Sequence, residues 1–260
     1  PGQETSPEQQ IYDEGIRLLK ADKVREAIPL LYQATLLFPG NRRVMADYTI
    51  ALAWAGEYQK AVAYYQDNVA DLSQVGYLHK NIAKAFYELR NFAKAQELYA
   101  LGWQVDPRDA EAFKGLIFAS ARLEKYAEAV QAWERARREK LVDGAILDDM
   151  KVFLLQHMGA SGDAYKTARQ AGIEDAGLLT RLQGDIAVNR LRWDEVDRAL
   201  AILEAQLARN PDNLRAREDY IVALRKKDRM EEVLQQYELY QQSGRDIPFW
   251  VNEAVADAYL

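Results

Sequence analysis

The stretch Glu26–Ala34 reads EAIPLLYQA, and it decides the fold because related segments recur along the chain. They stand at 60–65 (KAVAYY), 94–99 (KAQELY) and 128–133 (EAVQAW). Their alanines are spaced 34 residues apart, at Ala27, Ala61, Ala95 and Ala129. A 34-residue period, with a small residue followed four positions later by a large apolar one, is typical of helix–turn–helix repeats.

The repeated residues have a physical role in such a unit. The alanine lets the second helix of each repeat (helix B) approach the first (helix A), and the large residue fills the space on the same helix face. The large residues are Leu31, Tyr65, Tyr99 and Trp133. Pro39 and Pro107 fall where helix B must stop. The sequence predicts an all-α fold, a tetratricopeptide-repeat right-handed superhelical solenoid of about seven and a half repeats.

We expect a single solenoid domain over residues 1–260, with a half repeat at its end. The repeats are placed at about 8–41, 42–75, 76–109, 110–143, 144–176, 177–213, 214–247 and 248–260. Repeat five is degenerate, with a short helix B starting near Asp163 and a local change of curvature. Repeat six is expected to have a helix B nearly one turn longer. A final helix A should start near Pro248 and reach Leu260, and we expect the natural chain to extend beyond both ends.

Composition excludes several function classes. The net charge is −6, which argues against nucleic-acid binding, since that usually requires a basic face. No apolar run approaches 18 residues, so no membrane contact by this chain is expected. The chain has no cysteine, so it has neither disulfide nor thiolate chemistry. A weak preference for cationic or neutral partners follows from the net negative charge.

The helix A face opposite the packed one is the predicted ligand groove. Counted from the first residue of each repeat, positions 2, 5, 6, 9, 12 and 13 share this face. Position 6 is acidic in five of eight repeats, although only 40 of 260 residues are acidic. These five residues are Asp13, Asp47, Asp149, Asp219 and Glu253. Three further carboxylates and two aromatic rings complete the predicted ligand-binding set: Asp148, Asp185, Glu218, Trp54 and Tyr87.

The chemistry of this face favours a sugar or an amine. Aromatic rings cover the apolar face of a pyranose, and carboxylates accept hydrogen bonds from hydroxyl or ammonium groups. Other tetratricopeptide domains hold a peptide carboxylate with Lys, Asn and Arg, whereas here Asp stands at those places. The alternative is that the charges form a solvated face. Tyr12, Tyr77 and Tyr87 would then pack against the next repeat.

Nothing in the sequence points to catalysis. His79 is expected at the edge of the core and His157 at an exposed helix end, too far apart for a shared site. No HExxH, phosphate loop or Ser/His/Asp arrangement is present. Trp103, Trp133 and Trp193 are expected in the core. We predict a non-enzymatic protein that binds no cofactor and no metal.

Four segments carry a resemblance to a known family. They are 50–56 (IALAWAG), 85–92 (AFYELRNF), 243–250 (SGRDIPFW) and 254–260 (AVADAYL). In order and spacing they resemble the N-terminal periplasmic region of the export porins of poly-β-1,6-N-acetylglucosamine, of the PgaA/HmsH type. The outer-membrane β-barrel of that family has no counterpart among these 260 residues.

The resemblance implies a function in the periplasm. Family members export a biofilm exopolysaccharide, and their repeats guide the partly deacetylated amino-sugar polymer from a periplasmic polysaccharide deacetylase towards their own β-barrel. The partners implied are therefore the polymer, the deacetylase and that barrel. Two rival hypotheses are a protein–protein scaffold that never touches sugar and an accessory domain of a cellulose-type exporter, whose groove would be indifferent to ligand charge.

Overall fold

A computed structural model describes residues 6–259, and every regular element in that part of the chain is a helix. The chain divides into two compact units, Pro1–Met150 and Lys151–Leu260, which are described separately. The prediction of an all-α fold made of helix pairs is confirmed. The single continuous solenoid and the change of curvature at repeat five stay predictions.

Unit 1 consists of successive helix pairs joined by short turns. Its helices are α1 (Pro7–Lys20), α2 (Val24–Leu37), α3 (Arg42–Trp54), α4 (Tyr58–Asp67), α5 (Val69–Leu72), α6 (His79–Glu88), α7 (Phe92–Val105), α8 (Ala110–Arg122) and α9 (Tyr126–Glu139). A short 3₁₀ helix, Gly76–Leu78, precedes α6. Helix α10 (Gly144–His157) contains the boundary between the units.

Unit 2 continues with the same kind of pairing. Its helices are α11 (Ser161–Gln170), α12 (Ala176–Arg192), α13 (Val196–Arg209), α14 (Leu214–Lys226), α15 (Met230–Gln241) and α16 (Phe249–Ala256). A 3₁₀ turn, Asp257–Tyr259, follows α16. The final helix thus begins near Pro248 as predicted, while Leu260 lies outside the described residues.

The repeated alanines lie in the protein core. All four are completely buried, and Leu31, Tyr65 and Tyr99 are buried beside them. Gly15 of α1 faces Leu31 so closely that an added Cβ would lie 2.9 Å from the Leu31 Cδ2 atom. The predicted contact between the two helices of a repeat is therefore confirmed for this pair.

The turns between helix A and helix B share a left-handed residue. Positive φ angles recur at intervals of 34 or 35 residues, at Asp22, Gly56, Arg90, Glu124, Gly159, Asp194 and Asp228. Only two of the seven are glycines, although this region of φ costs other residues about 1 kcal/mol or more. Asp occupies three of the other five positions, and it tolerates this conformation better than most residues.

Two expectations about the repeats are wrong. In repeat six the extra length lies in α12, which has 17 residues, whereas its helix B, α13, has 14. Trp193 is 70% exposed and is not a core residue. It follows the last residue of α12, and its side chain lies 6.0 Å from the guanidinium of Arg190. Trp103, in contrast, is buried as predicted and packs on Phe113.

Helix B of repeat five is short, as predicted. Helix α11 spans ten residues, and it begins at Ser161, two residues before the expected start. Ala164 and Ala168, one turn apart, are its fully buried contacts. The fully buried side chains of this helix are therefore small, which is consistent with the degenerate sequence of this repeat.

Candidate functional site

Position 6 of helix A does not form a uniform solvent-facing row. In unit 1, Asp13 and Asp149 are exposed and Asp47 is half-buried, whereas Gly115 is buried against Tyr99. In unit 2, Glu253 is exposed, Asp219 is half-buried and Leu182 is completely buried. The assignment of position 6 to an open groove face is therefore wrong as a general rule, because in several repeats this position packs against a neighbouring helix.

Asp47 is the centre of a hydrogen-bonded cluster in unit 1. The hydroxyl of Tyr12 donates to its Oδ2 at 2.5 Å, and the hydroxyl of Tyr77 donates to its Oδ1 at 3.3 Å. Tyr12 belongs to α1 and Tyr77 to the 3₁₀ helix, so the carboxylate ties three successive repeats together. Tyr12 is buried, which corrects its placement on an open face, while Tyr77 is 48% exposed.

The environment of Asp47 changes the titration of all three groups. Burial raises the pKa of Asp47, although the two tyrosine hydroxyls and Arg43 act in the opposite direction. Burial, followed by the negative charge of Asp47, raises the pKa of Tyr77 to about 12. The same causes raise the pKa of Tyr12. Both tyrosines therefore stay protonated and act as donors at neutral pH.

Trp54 continues this cluster at the end of α3. Its indole Nε1–H donates to the Oδ1 of Asn81 at 2.8 Å, and the amide of Asn81 donates to the backbone carbonyl of Tyr77 at 3.1 Å. The ring of Trp54 is nevertheless 54% exposed. The hydrogen bond fixes the orientation of the indole while one face stays accessible to a ligand.

An open cleft of about 480 Å³ lies beside Trp54. Its other wall is the turn between α1 and α2, with Asp22, Lys23, Arg25 and Glu26. Lys23 forms an ion pair with Glu26 at 3.6 Å, and both side chains are more than half exposed. The cleft thus combines one exposed aromatic ring with carboxylates and with ammonium and guanidinium groups.

The remaining predicted residues of unit 1 do not join this cluster. Asp13 accepts a hydrogen bond from Gln9 at 2.8 Å within α1. Tyr87 is half-buried, packs edge-on against Phe92 and accepts a hydrogen bond from Arg122 at 3.3 Å. Asp148 is half-buried and Asp149 is exposed on α10. Tyr87 therefore has the packing role that was the alternative interpretation.

Predicted residues of unit 2 form a second cluster, which contains Asp185, Arg215, Glu218 and Asp219. The guanidinium of Arg215 donates to Asp185 at 3.0 Å. The hydroxyl of Tyr240 donates to Glu218 at 2.8 Å. Asp219 borders a small cavity of about 80 Å³ together with Arg215. Glu253, on α16, is exposed.

Asp219 is the most perturbed carboxyl group of this cluster. Burial raises its pKa to about 6, with the charges of Glu218 and Asp185 adding to the rise and Arg215 opposing it. Because Asp185 and Glu218 already accept hydrogen bonds from this chain, the unit 2 carboxylates are less available to a ligand than the sequence implied. A cationic ligand is still compatible with the exposed Glu253.

The raised pKa of Asp219 predicts a pH-dependent stability. Its native pKa of about 6 exceeds the ordinary value of 3.8 for an aspartate, so its contribution to stability is complete below about pH 4 and is lost as the pH rises through 6. One pKa unit corresponds to about 1.4 kcal/mol, which partial exposure reduces here to about 1–2 kcal/mol in total. Asp219→Asn should remove this decline in urea unfolding measured between pH 4 and 8. Parallel stability curves for the two proteins would contradict it.

The two histidines, His79 and His157, lie in different environments. His79 is buried, as expected, and its Nε2–H donates to the carbonyl of Ser73 at 2.9 Å. His157 is exposed near the end of α10. Within residues 6–259, no three histidine or acidic side chains are placed to hold a metal ion. In the same part of the chain, no helix is both long and apolar enough to cross a bilayer.

Sequence reasoning missed two components of the unit 1 surface. Asn81 stands at a non-acidic position 6, yet it orients Trp54 through a hydrogen bond. The cleft residues Asp22 and Glu26 belong to the first A–B turn and the start of helix B, which the search for a helix A groove left aside. Trp54 stands at the end of helix A, opposite the turn of the preceding repeat. Its position could have pointed to the cleft residues in that turn.

Comparisons with known proteins place this fold. No protein-family model and no curated protein matches the chain. A tetratricopeptide repeat protein from Parabacteroides merdae has 14% identity and a TM-score of 0.57, over 97% of this chain and 99% of its own. PilF of Pseudomonas aeruginosa has 17% identity and a TM-score of 0.53, over 81% and 95%. YrrB, described as having an unusual peptide-binding site, has 15% identity and a TM-score of 0.54, over 72% and 95%.

Proposed function

We propose a function that starts from the tetratricopeptide fold, which this chain shares with these solved structures. We propose that this chain is the periplasmic repeat region of an outer-membrane exopolysaccharide exporter. It binds and guides partly de-N-acetylated poly-β-1,6-N-acetylglucosamine for secretion of biofilm matrix, without catalysing a reaction. The observation that carries the proposal is the exposed indole of Trp54, held by Asn81 beside an open cleft that contains carboxylates.

The geometry of this cleft suits an amino sugar. A pyranose ring packs its apolar face on an exposed aromatic ring, and its hydroxyl groups then lie at the ring edge. The carboxylate of Asp22 lines the same cleft and accepts a charge-assisted hydrogen bond from the ammonium group of a de-N-acetylated residue, whereas Glu26 is already paired with Lys23. Since the indole is already oriented, little conformational entropy is lost when the sugar binds.

The expected affinity per site is low, which suits a polymer in transit. Ion pairs between exposed groups contribute about 0–1 kcal/mol each, and they weaken as salt increases. A polymer held by several such contacts can slide, because no single contact has to be broken at a large cost. The exposed carboxylates of Asp13, Asp149 and Glu253 supply further weak contacts of this kind.

A protein-binding role is the second candidate, and a specific surface favours it. Helix α2 exposes Tyr32, Leu36 and Leu37, and helix α7 exposes Leu101 and Val105. Apolar side chains grouped on helix surfaces favour contact with another protein. In the exporter this surface would dock the periplasmic deacetylase, whereas in a pure scaffold it would be the whole binding site. The neighbour YrrB has a peptide-binding site by its own description.

Substituting Trp54 tests the proposal. In a titration with partly deacetylated β-1,6-linked glucosamine oligomers, Trp54→Ala should weaken binding by roughly tenfold, because the stacking platform is lost. Trp193→Ala is the control, since Trp193 is also an exposed tryptophan but lies outside the cleft, and it should bind like the parent.

The same titration separates the two candidates. If the parent and Trp54→Ala bind the oligomers equally well, the cleft beside Trp54 does not take part in oligomer binding. If the parent binds no oligomer but binds the deacetylase, the scaffold interpretation replaces the exporter groove. In that case Leu36→Ala should weaken binding of the deacetylase, and Trp54→Ala should not.

A further inference from the structure

A second cleft, in unit 2, contains a buried arginine that the surface described above does not use. The cleft has a volume of about 440 Å³ and lies between the start of α14 and the turn after α15. Arg217, in the first turns of α14, lines it and is only 7% exposed. We call it the Arg217 cleft; Pro211, Asp212, Leu214, Leu239 and Arg245 are among its other lining residues.

The guanidinium of Arg217 donates two hydrogen bonds within the chain, but one of its buried donor groups has no acceptor. Its Nη1 donates to the side-chain oxygen of Gln236 and its Nη2 donates to the carbonyl of Pro211, both at 2.5 Å. Its Nε–H is buried and has no acceptor in the described part of the chain. Burial lowers the pKa of Arg217, and the charge of Asp212 opposes that effect. A buried donor without an acceptor is unfavourable, and more so when it is charged.

The charge of Arg217 also lacks a contacting counter-ion. No carboxylate of residues 6–259 forms an ion pair with it, although most arginines buried to this degree are paired. The two bonded nitrogens fix the plane of the guanidinium, so the free Nε–H has a defined direction. Because Arg217 lines the cleft, its guanidinium is placed to donate charge-assisted hydrogen bonds to an incoming oxyanion, a pairing that arginine favours.

Other groups of the cleft add to its preference for an anion. Arg245 stands at the exposed rim. Leu214 is the first residue of α14, a helix of 13 residues whose N-terminus carries a partial positive charge. The carboxylate of Asp212 opposes an anion, but it is exposed to solvent, so its charge is screened. The charge balance of the cleft is positive.

Two leucines indicate that the anionic group of the ligand is attached to an apolar group. Leu214 and Leu239 line the same cleft, and Leu239 is among the exposed large apolar residues. An isolated inorganic anion would leave this apolar wall in water, whereas an anion that carries a neighbouring apolar group would cover it. We infer that the Arg217 cleft binds a carboxylate that is attached next to an apolar group, as in a peptide that ends in a hydrophobic residue.

This inference is independent of the amino-sugar proposal. The ligand has the opposite charge, and the residues that bind it belong to unit 2, whereas Trp54 and its cleft belong to unit 1. If experiment contradicts the amino-sugar proposal, the inference about the Arg217 cleft is unaffected, and the reverse also holds. Arg217 stands at position 4 of repeat seven, a packed helix A position that is apolar in most other repeats, and the structure shows which groups hold it there.

The test is a titration of the whole chain followed by chemical shifts of the backbone amides. The probes are N-acetyl-leucine, N-acetyl-leucinamide, which lacks the carboxylate, and inorganic phosphate. N-acetyl-leucine should shift the amides at the start of α14 and after α15 with a dissociation constant on the order of millimolar. N-acetyl-leucinamide should cause no such shifts, and phosphate should bind more weakly.

Variants separate the cleft from non-specific binding. Arg217→Met keeps the buried volume and should weaken binding of N-acetyl-leucine by at least about tenfold. Arg245→Gln changes only an exposed rim residue, so it should fold normally and weaken binding by about two- to fivefold. Arg209→Gln, an exposed arginine outside the cleft, is the control and should bind like the parent.

Three results would overturn the inference. The first is the absence of shifts with N-acetyl-leucine in the parent. The second is equal binding of N-acetyl-leucinamide, since the carboxylate would then be irrelevant. The third is binding in Arg245→Gln and Arg217→Met at parental strength. Tighter binding of phosphate than of N-acetyl-leucine would also reject the apolar neighbour as a determinant.

Discussion

Replacing Leu31 with alanine is expected to lower the free energy of unfolding by about 2–5 kcal/mol. Leu31 is completely buried between α1 and α2, and its side chain lies against Gly15 and the cluster around Ala27 and Ala34. The substitution removes buried methyl groups and leaves a cavity, because the surrounding structure relaxes only partially. Urea unfolding followed by circular dichroism measures the change.

Leu36 provides a matched control on the same helix. It is also a leucine of α2, but it is 64% exposed, so Leu36→Ala removes little buried surface. Exposed substitutions of this kind usually change stability by less than about 0.5 kcal/mol. If the two variants lost the same stability, the repeat contact would not be the main source of packing energy in unit 1.

Gly115→Ala is expected to destabilise the protein by about 1–3 kcal/mol, although alanine is normally the better helix residue. A Cβ at this position would lie 2.3 Å from the Cε1 atom of Tyr99, whose ring is buried against α8. The added methyl group must displace the ring or separate α7 from α8. The midpoint of urea unfolding should therefore fall.

Gly184→Ala tests the same substitution where there is space. Gly184 lies inside α12, and no heavy atom lies within 4 Å of the added Cβ. There the usual helix preference should dominate, and stability should rise by roughly 0.5–1 kcal/mol. Opposite signs for the two glycines are required by the packing; a gain at Gly115 would contradict the contact with Tyr99.

The repeat core could be predicted because its contacts are local and periodic. Ala27 and Leu31 are one turn apart on one helix, so their spacing alone puts them on the same face. The left-handed turn residues are equally periodic, but only two of the seven, Gly56 and Gly159, are the glycines that would mark such a turn in a sequence. Asp22 and Arg90 also have a positive φ angle, but because neither is a glycine, their residue type does not indicate this backbone conformation.

The candidate site could be predicted only in part, because it depends on which side chains of one repeat contact residues of the neighbouring repeats. Trp54 was recognised as an exposed aromatic residue, and its exposure is confirmed. Asp47 was assigned to an open acidic row, yet it accepts hydrogen bonds from tyrosines 35 residues before it and 30 residues after it. Such contacts between repeats depend on side-chain reach, which a 34-residue period does not specify.

Contacts between helices also explain why the unit 2 carboxylates are less available to a ligand than the repeat pattern implies. Asp185 and Glu218 satisfy the pattern of a groove face, but Arg215 and Tyr240 reach them from neighbouring helices. Neither donor is marked by the repeat pattern, since each stands at a position that tolerates many residues. Charge in a repeat sequence therefore indicates a ligand surface only after its partners within the chain have been identified.

The most direct measurement is calorimetric titration of this chain with β-1,6-linked glucosamine oligomers, either fully or partly acetylated, at two salt concentrations. The proposal predicts that the partly de-N-acetylated oligomers bind more tightly, and that their affinity falls as salt increases. Binding that is indifferent to acetylation and salt, or no binding to either oligomer by the folded protein, would contradict it.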